Sequence, residues 1–189
     1  TRPADHDLLA VVVPWSHRRF QYTVKDVALP ASGTIAIEGR RHAVRAGAWA
    51  VLDHGRGRWP YDIAWNWGAG SGVLADGRSL GIQVGGRWTD GTGMTENAVI
   101  AGGVLHKISV PVAWNYDLAD VMRPWRVTGG GLDATFTPFY DKRSRTNLGF
   151  VASRTDQCFG AWSGTFETAD ETIAFEGIEG FAEDVHNRW

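Results

Sequence analysis

The chain is expected to be all-β: an antiparallel meander closed into a β-barrel. Three observations carry that expectation. Apolar and polar residues alternate with a period near two along almost the whole length. Turn-forming pairs such as Asp76-Gly77 and Gly102-Gly103 separate the alternating runs at hairpin spacing. The chain also combines 10 Trp, 8 Phe and 4 Tyr with 24 Gly in 189 residues. Glycine inside strands marks bulges, sharp bends or close backbone approach, and barrel closure removes the edges such strands would expose, so a barrel is preferred to a sandwich.

The strands are read in order as Leu8 to Trp15, Arg19 to Lys25, Gly33 to Glu38, Trp49 to Asp53, Asp62 to Gly68, Ser79 to Trp88, Asn97 to Ala101 and Val104 to Val110. Leu132 to Tyr140, Gly149 to Ser153, Cys158 to Glu167 and Thr172 to Gly177 follow. In the second strand Phe20, Tyr22 and Val24 form the apolar face, while Arg19, Gln21, Thr23 and Lys25 form the solvent-compatible one. Glu38-Gly39-Arg40 supplies a further turn. One short helical turn is predicted after Asp117, which would act as its N-cap, through Leu118, Val121 and Met122, ended by Pro124.

A net charge of −2, with no long run of one sign, offers no footprint for nucleic acid or an anionic membrane. No apolar stretch approaches the roughly 18 residues of a membrane helix. No signal-peptide pattern is visible, which predicts a cytoplasmic protein. The single Cys158 reads as a small buried hydrophobe, and the six histidines show no pair at metal-ligand spacing, so neither metal nor cofactor is expected. The run from Gly68 to Val73 lacks the third glycine of a dinucleotide fingerprint and the glycines of a nucleophile elbow. The start at Thr1, with a strand soon after, predicts a processed or truncated N-terminus.

The segment Asp53 to Asn97 holds 11 of the glycines and four of the tryptophans, beside Asp53, His54, Arg56, Arg58, Asp90 and Glu96. Its motifs DHGRGRWPYDIAWNWGAGSG and WTDGTGMTEN stand in order with PWSHRRFQYT from Pro14, MRPWRV from Met122, FTPFYD from Phe136, QCFGAWSG from Gln157 and the closing HNRW. Together they resemble the bacterial family known as domain of unknown function 2804, over essentially the whole chain. The resemblance implies one domain, residues 1–189, forming the C-terminal part of a longer protein and able to contact a missing N-terminal β-domain. It also implies kinship with calycin-like proteins, among them carotenoid hydratases, tocopherol cyclases and AttH-like proteins, and so a lipocalin-like barrel, incomplete without its upstream part, and a hydrophobic small-molecule ligand.

Alternation along Asp62 to Trp67 puts Ile63, Trp65 and Trp67 on one face and Asp62, Ala64 and Asn66 on the other. Two indoles on one side of a strand either fill a core or line an apolar pocket, and both arrangements predict that they are largely buried. Trp65, Asn66, Trp67 and Trp88, with Tyr61 and Arg56, are the candidate ligand contacts; a buried Asn66 amide needs a backbone group, a neighbour such as Tyr61, or a ligand. An acid-catalysed hydratase or cyclase acting on an isoprenoid alkene would instead need a protonated carboxylic acid, for which Asp53, Asp90 and Glu96 are candidates. Each has a structural alternative: a turn for Asp90, an ion pair with Arg56 or Arg58 for Asp53, and hydrogen bonds to loop amides for Glu96. His54 points away from Asp53 on any strand. In MRPWRV, Trp125 is expected to stack on a guanidinium of Arg123 or Arg126. A third function, a structural or protein-interaction β-domain, predicts a filled barrel without a cavity.

Overall fold

A computed structural model describes residues 2–189. Its strands are β1 (Leu9–Ser16), β2 (Arg19–Pro30), β3 (Thr34–Ile37), β4 (Arg40–Ala43), β5 (Trp49–Arg58), β6 (Asp62–Val73) and β7 (Ser79–Gly86). They continue as β8 (Asn97–Ala101), β9 (Val104–Ile108), β10 (Ala113–Asn115), β11 (Trp125–Gly129), β12 (Leu132–Asn147), β13 (Ala152–Glu167) and β14 (Thr172–Arg188). Nine of them make one antiparallel sheet in the order β10-β11-β12-β13-β14-β6-β7-β8-β9, curled into a half-barrel with β10 and β9 as its edges. Strands β1, β2 and β5 form a second sheet, and β3 and β4 a two-stranded ribbon. The fold is thus all-β and antiparallel, an incomplete barrel. No helix among the described residues is long and apolar enough to cross a membrane.

Two meanders of hairpins, β6 to β9 and β10 to β14, are joined by one non-sequential pairing, β14 against β6. That junction explains the glycines. Even-numbered residues of β6 face the half-barrel interior, and a Cβ on Gly68 or Gly70 would stand 2.7 or 2.8 Å from the Trp162 ring. The fully buried Trp162, Trp125 and Phe136 fill the interior together with Leu80 and Ile82. Bulky rings from β11, β12 and β13 thus occupy the space that side chains on β6 would have taken.

Several expectations are corrected. The segment after Asp117 is a pair of turns, with the Ala119 amide donating to Asp117 Oδ1 at 2.8 Å, because the six residues between Asp117 and Pro124 are too few to sustain a helix. Trp125 stacks on Tyr116, centroids 4.2 Å apart, rather than on a guanidinium; Arg123 and Arg126 pair at the surface with Asp117 and Asp133. Strand β14 continues past Gly177, whose φ of +66° makes an irregularity instead of an end. The polar stretch between Ser153 and Cys158 stays within β13, since Asp156 there is buried against Arg145 and Arg154. Strand β2 is inverted: Gln21, Thr23 and Lys25 are buried, whereas Phe20 is 42% exposed. Cys158 is buried as anticipated, and burial pushes its thiol up to about 12.

Candidate functional site

The inversion of β2 locates the site. The second sheet packs across the outer face of β6 and β7, and Val27, Ala69 and Ile100 seal one end of that contact. At the other end the sheets part around a cavity of about 210 Å³. Trp65 and Trp67 of β6 form its floor, the polar row Gln21, Thr23 and Lys25 of β2 its roof, and Asp53, Glu96 and Glu183 reach it from β5, the β7–β8 loop and β14.

Trp59, in the β5–β6 connection, organises the wall. Its ring stacks on Trp88 at 5.6 Å and 15°, and meets Trp15, Trp65 and Trp189 at tilted or edge-on angles. The indole N–H groups are committed to protein acceptors: Trp59 to Gln21 Oε1 at 2.8 Å, Trp65 to Glu183 Oε1 at 2.8 Å, Trp67 to Gln83 Oε1 at 2.9 Å, and Trp88 to Glu96 Oε1. Each ring is therefore fixed at its polar edge, leaving its π-surface for the cavity.

Glycine again makes room, this time for polar groups. A Cβ on Gly85 would stand 2.1 Å from Glu96 Oε1, and one on Gly55 or Gly57 would be 2.2 or 2.4 Å from the Gln21 amide. Neither side chain could lie where it does over an ordinary strand. The backbone carrying Glu96 is held by Gln83 Nε2, which donates to Glu96 O at 3.2 Å. Lys107 Nζ donates to Thr95 O and Asn97 O at 2.9 and 3.2 Å, and desolvation pushes that ammonium down to about 8.

Lys25 Nζ lies 2.9 Å from Asp53 Oδ2, 3.6 Å from Glu96 Oε2 and 3.8 Å from the Trp67 ring centroid. Thr23 Oγ1 donates to Asp53 at 3.1 Å. Glu96 is 1% exposed, and its Oε2 is buried without a hydrogen-bond partner. Desolvation raises the pKa of Glu96, opposed by the Lys25 charge and the Trp88 hydrogen bond; desolvation raises that of Glu183 too.

A raised carboxylic pKa means that the folded state keeps its proton after the unfolded chain has lost it. The contribution to stability is complete below 4.5, the ordinary glutamate value, and is lost as pH rises from there through the folded value. Glu96→Gln is expected to match the parent in urea unfolding at acid pH and to exceed it above that window. A variant less stable than the parent at neutral pH would instead identify Glu96 as an anion held by Lys25.

The fold brings together Asp53, Trp65, Trp67, Trp88 and Glu96. Trp65 and Trp67 are largely buried, each keeping the partial exposure of a side chain that borders the cavity. Four candidates lie elsewhere. Asp90 is exposed in the turn after Trp88, its amide bonded to Arg87 O at 3.1 Å. Arg56 is exposed on the face of β5 opposite Asp53, as period-two geometry requires. Tyr61 is 48% exposed and donates its hydroxyl to Phe150 O. Asn66 is buried on the interior side, where its Nδ2 donates to Tyr116 Oη at 2.9 Å and Asp184 Oδ2 at 3.3 Å. Asp53 pairs with Lys25 rather than with an arginine, and Glu96 binds the Trp88 indole rather than loop amides.

Gln21, Thr23, Lys25, Trp59, Glu183 and Trp189 were not anticipated as site residues. For Trp59 the signal was present, in the same dense segment. For Glu183 and Trp189 the only available signal was that the alternation could have been extended through Gly177. No group of three or more His, Cys, Asp or Glu among the described residues is arranged to hold a metal ion.

Fold and site together define an all-β half-barrel domain with a tryptophan-walled cavity between its two sheets. The chain belongs to the family described as "Domain of unknown function (DUF2804)", whose model matches residues 1–189. Neither the curated proteins nor the solved structures contain a match to it.

Proposed function

We propose that the domain binds a hydrophobic small molecule in the cavity between the sheets, with Trp59, Trp65, Trp67 and Trp88 as its contact surface. The observation that carries this reading is the inverted β2 strand. Burying Gln21, Thr23 and Lys25 while exposing Phe20 costs stability in a domain that only packs its sheets, and makes sense where the polar row lines a binding cavity. An apolar cavity of about 150 Å³ holds benzene. About 210 Å³ admits a ring with a short substituent, or the end of a longer chain. The test is tryptophan fluorescence titrated with isoprenoid alcohols, alkyl chains and substituted benzenes, alongside solvent extraction and mass spectrometry of purified protein. Saturable quenching is expected, with Trp65→Ala weakening affinity by about tenfold, the loss of one aromatic contact. No quenching and no co-purifying compound would count decisively against binding.

The buried Glu96 favours a second reading, acid catalysis on an alkene. Its carboxyl would give a proton to one alkene carbon, the π pair forming the new C–H bond. The cation left on the neighbouring carbon would lie against indole faces until water added and surrendered a proton to the carboxylate. Asp53, already paired with Lys25, is the less suitable donor, and Asp90 lies outside the cavity. Deuterium incorporation into an isoprenoid alkene incubated in D2O, abolished by Glu96→Gln and retained in Asp53→Asn and Asp90→Asn, is the outcome this reading requires.

A further inference from the structure

We infer that the ligand of this cavity carries an ammonium group on its apolar body, an inference that rests on the binding reading above. The groups facing the cavity sort by what they still offer. The indole N–H donors of Trp59, Trp65, Trp67 and Trp88 are all taken by protein acceptors, so these rings present π-faces, which are electron-rich and attract cations. Lys25 is matched by Asp53 at 2.9 Å and pressed onto Trp67. Once that pair is set aside, Glu96 and Glu183 remain, with no second cation among the cavity-lining residues.

Glu183 accepts one hydrogen bond on each oxygen, from Trp65 Nε1 and Gln157 Nε2, both at 2.8 Å, and a carboxylate has about four acceptor sites. Glu96 Oε2 is buried in a side chain 1% exposed, without a hydrogen-bond partner, and its one cation is Lys25 at 3.6 Å, which lies closer to Asp53. That orphan acceptor, set among indole faces, is the feature that packing leaves unexplained. A carboxylate-bearing ligand would crowd two carboxyl groups and find its natural partner Lys25 already engaged. An ammonium would meet π-faces and an unfilled acceptor. Lys25 on Trp67 is the internal precedent, one ammonium already held in this cavity by an indole face and a carboxylate.

The test uses three probes with one apolar body, benzylammonium, benzyl alcohol and benzoate, titrated at pH 7 by tryptophan fluorescence and calorimetry. Benzylammonium is expected to bind about tenfold more tightly than benzyl alcohol, with benzoate weakest. Glu96→Gln is expected to shrink the ratio of ammonium to alcohol affinity severalfold. Glu183→Gln, checked for folding by circular dichroism, serves the same purpose if the first variant does not fold. Alcohol or benzoate binding as tightly as the ammonium would overturn the inference and leave the binding reading intact. Absence of binding by all three, with the wider fluorescence panel also silent, would overturn both.

Discussion

Trp162→Ala is expected to lower the unfolding free energy by about 3–5 kcal/mol, the range for deleting a fully buried aromatic side chain. Trp162 is 0% exposed, packs 5.0 Å from Phe136 between ring centroids and fills the hollow over Gly68 and Gly70. The surrounding sheet cannot collapse into the space, because those glycines carry no side chain to move. In a chain this long the loss corresponds to a fall in melting temperature of roughly 10 °C, read by calorimetry or urea titration. Trp162→Phe supplies the control. The Trp162 indole N–H is buried without a partner, so phenylalanine removes an unsatisfied donor as well as some volume. Its cost is expected to stay within about 1.5 kcal/mol. Equal losses for the two variants would show that the indole N–H is satisfied by something that phenylalanine cannot replace.

Asp184→Ala is the second large effect, expected to destabilise by about 3 kcal/mol, the lower end of the range for breaking a buried ion pair. Asp184 is 0% exposed and accepts from Arg87 Nη1 at 2.6 Å, from Arg154 Nη2 and from Tyr116 Oη, with Asn66 Nδ2 at 3.3 Å. Strands β6, β13 and β14 and the segments carrying Arg87 and Tyr116 converge on this one carboxylate, at the polar end of an otherwise apolar interior. The two arginine side chains keep 41% and 30% exposure, so water recovers part of their solvation once the carboxylate is gone, which places the loss at the lower end. Asp184→Asn keeps an acceptor without the charge and is expected to fall between the parent and the alanine variant. Since Asp184 lies on the opposite face of β14 from Glu183, ligand affinity at the cavity should change little in any variant that remains folded.

Local chemistry was enough to read most of the strands, though β4, β10 and β11 are not among those it reads and Gly149 to Val151 is a bend. Period-two alternation and glycine-containing turns located most of the sheet, and the correct split of β6 into an indole face and an Asn66 face followed from geometry alone. Alternation failed where a strand turns its polar side inward. In β2 nothing local separates Gln21, Thr23 and Lys25 facing solvent from the same residues facing a cavity. It also failed at irregularities, where Gly177 looked like an end and β14 in fact runs on to Arg188, so Glu183 was never placed beside Trp65. Of the three carboxylates proposed as acids, Asp53 and Glu96 reach the cavity and Asp90 does not, because a turn residue follows the loop and not the strand face.

An antiparallel β-fold of one known family, rich in rings set against glycines and with its candidate site residues concentrated between Asp53 and Asn97, is legible in the amino-acid order alone. What the rings and glycines are for depends on long-range packing. Those of Gly68 and Gly70 admit Trp162 to a solid interior, whereas Gly55, Gly57 and Gly85 admit Gln21 and Glu96 to a cavity on the opposite side. The physical reason is that alternation specifies two faces of a strand without saying what covers either. Here a second sheet, contributed by β1, β2 and β5, covers the outer face of β6 and converts what would have been a solvent surface into the wall of a cavity.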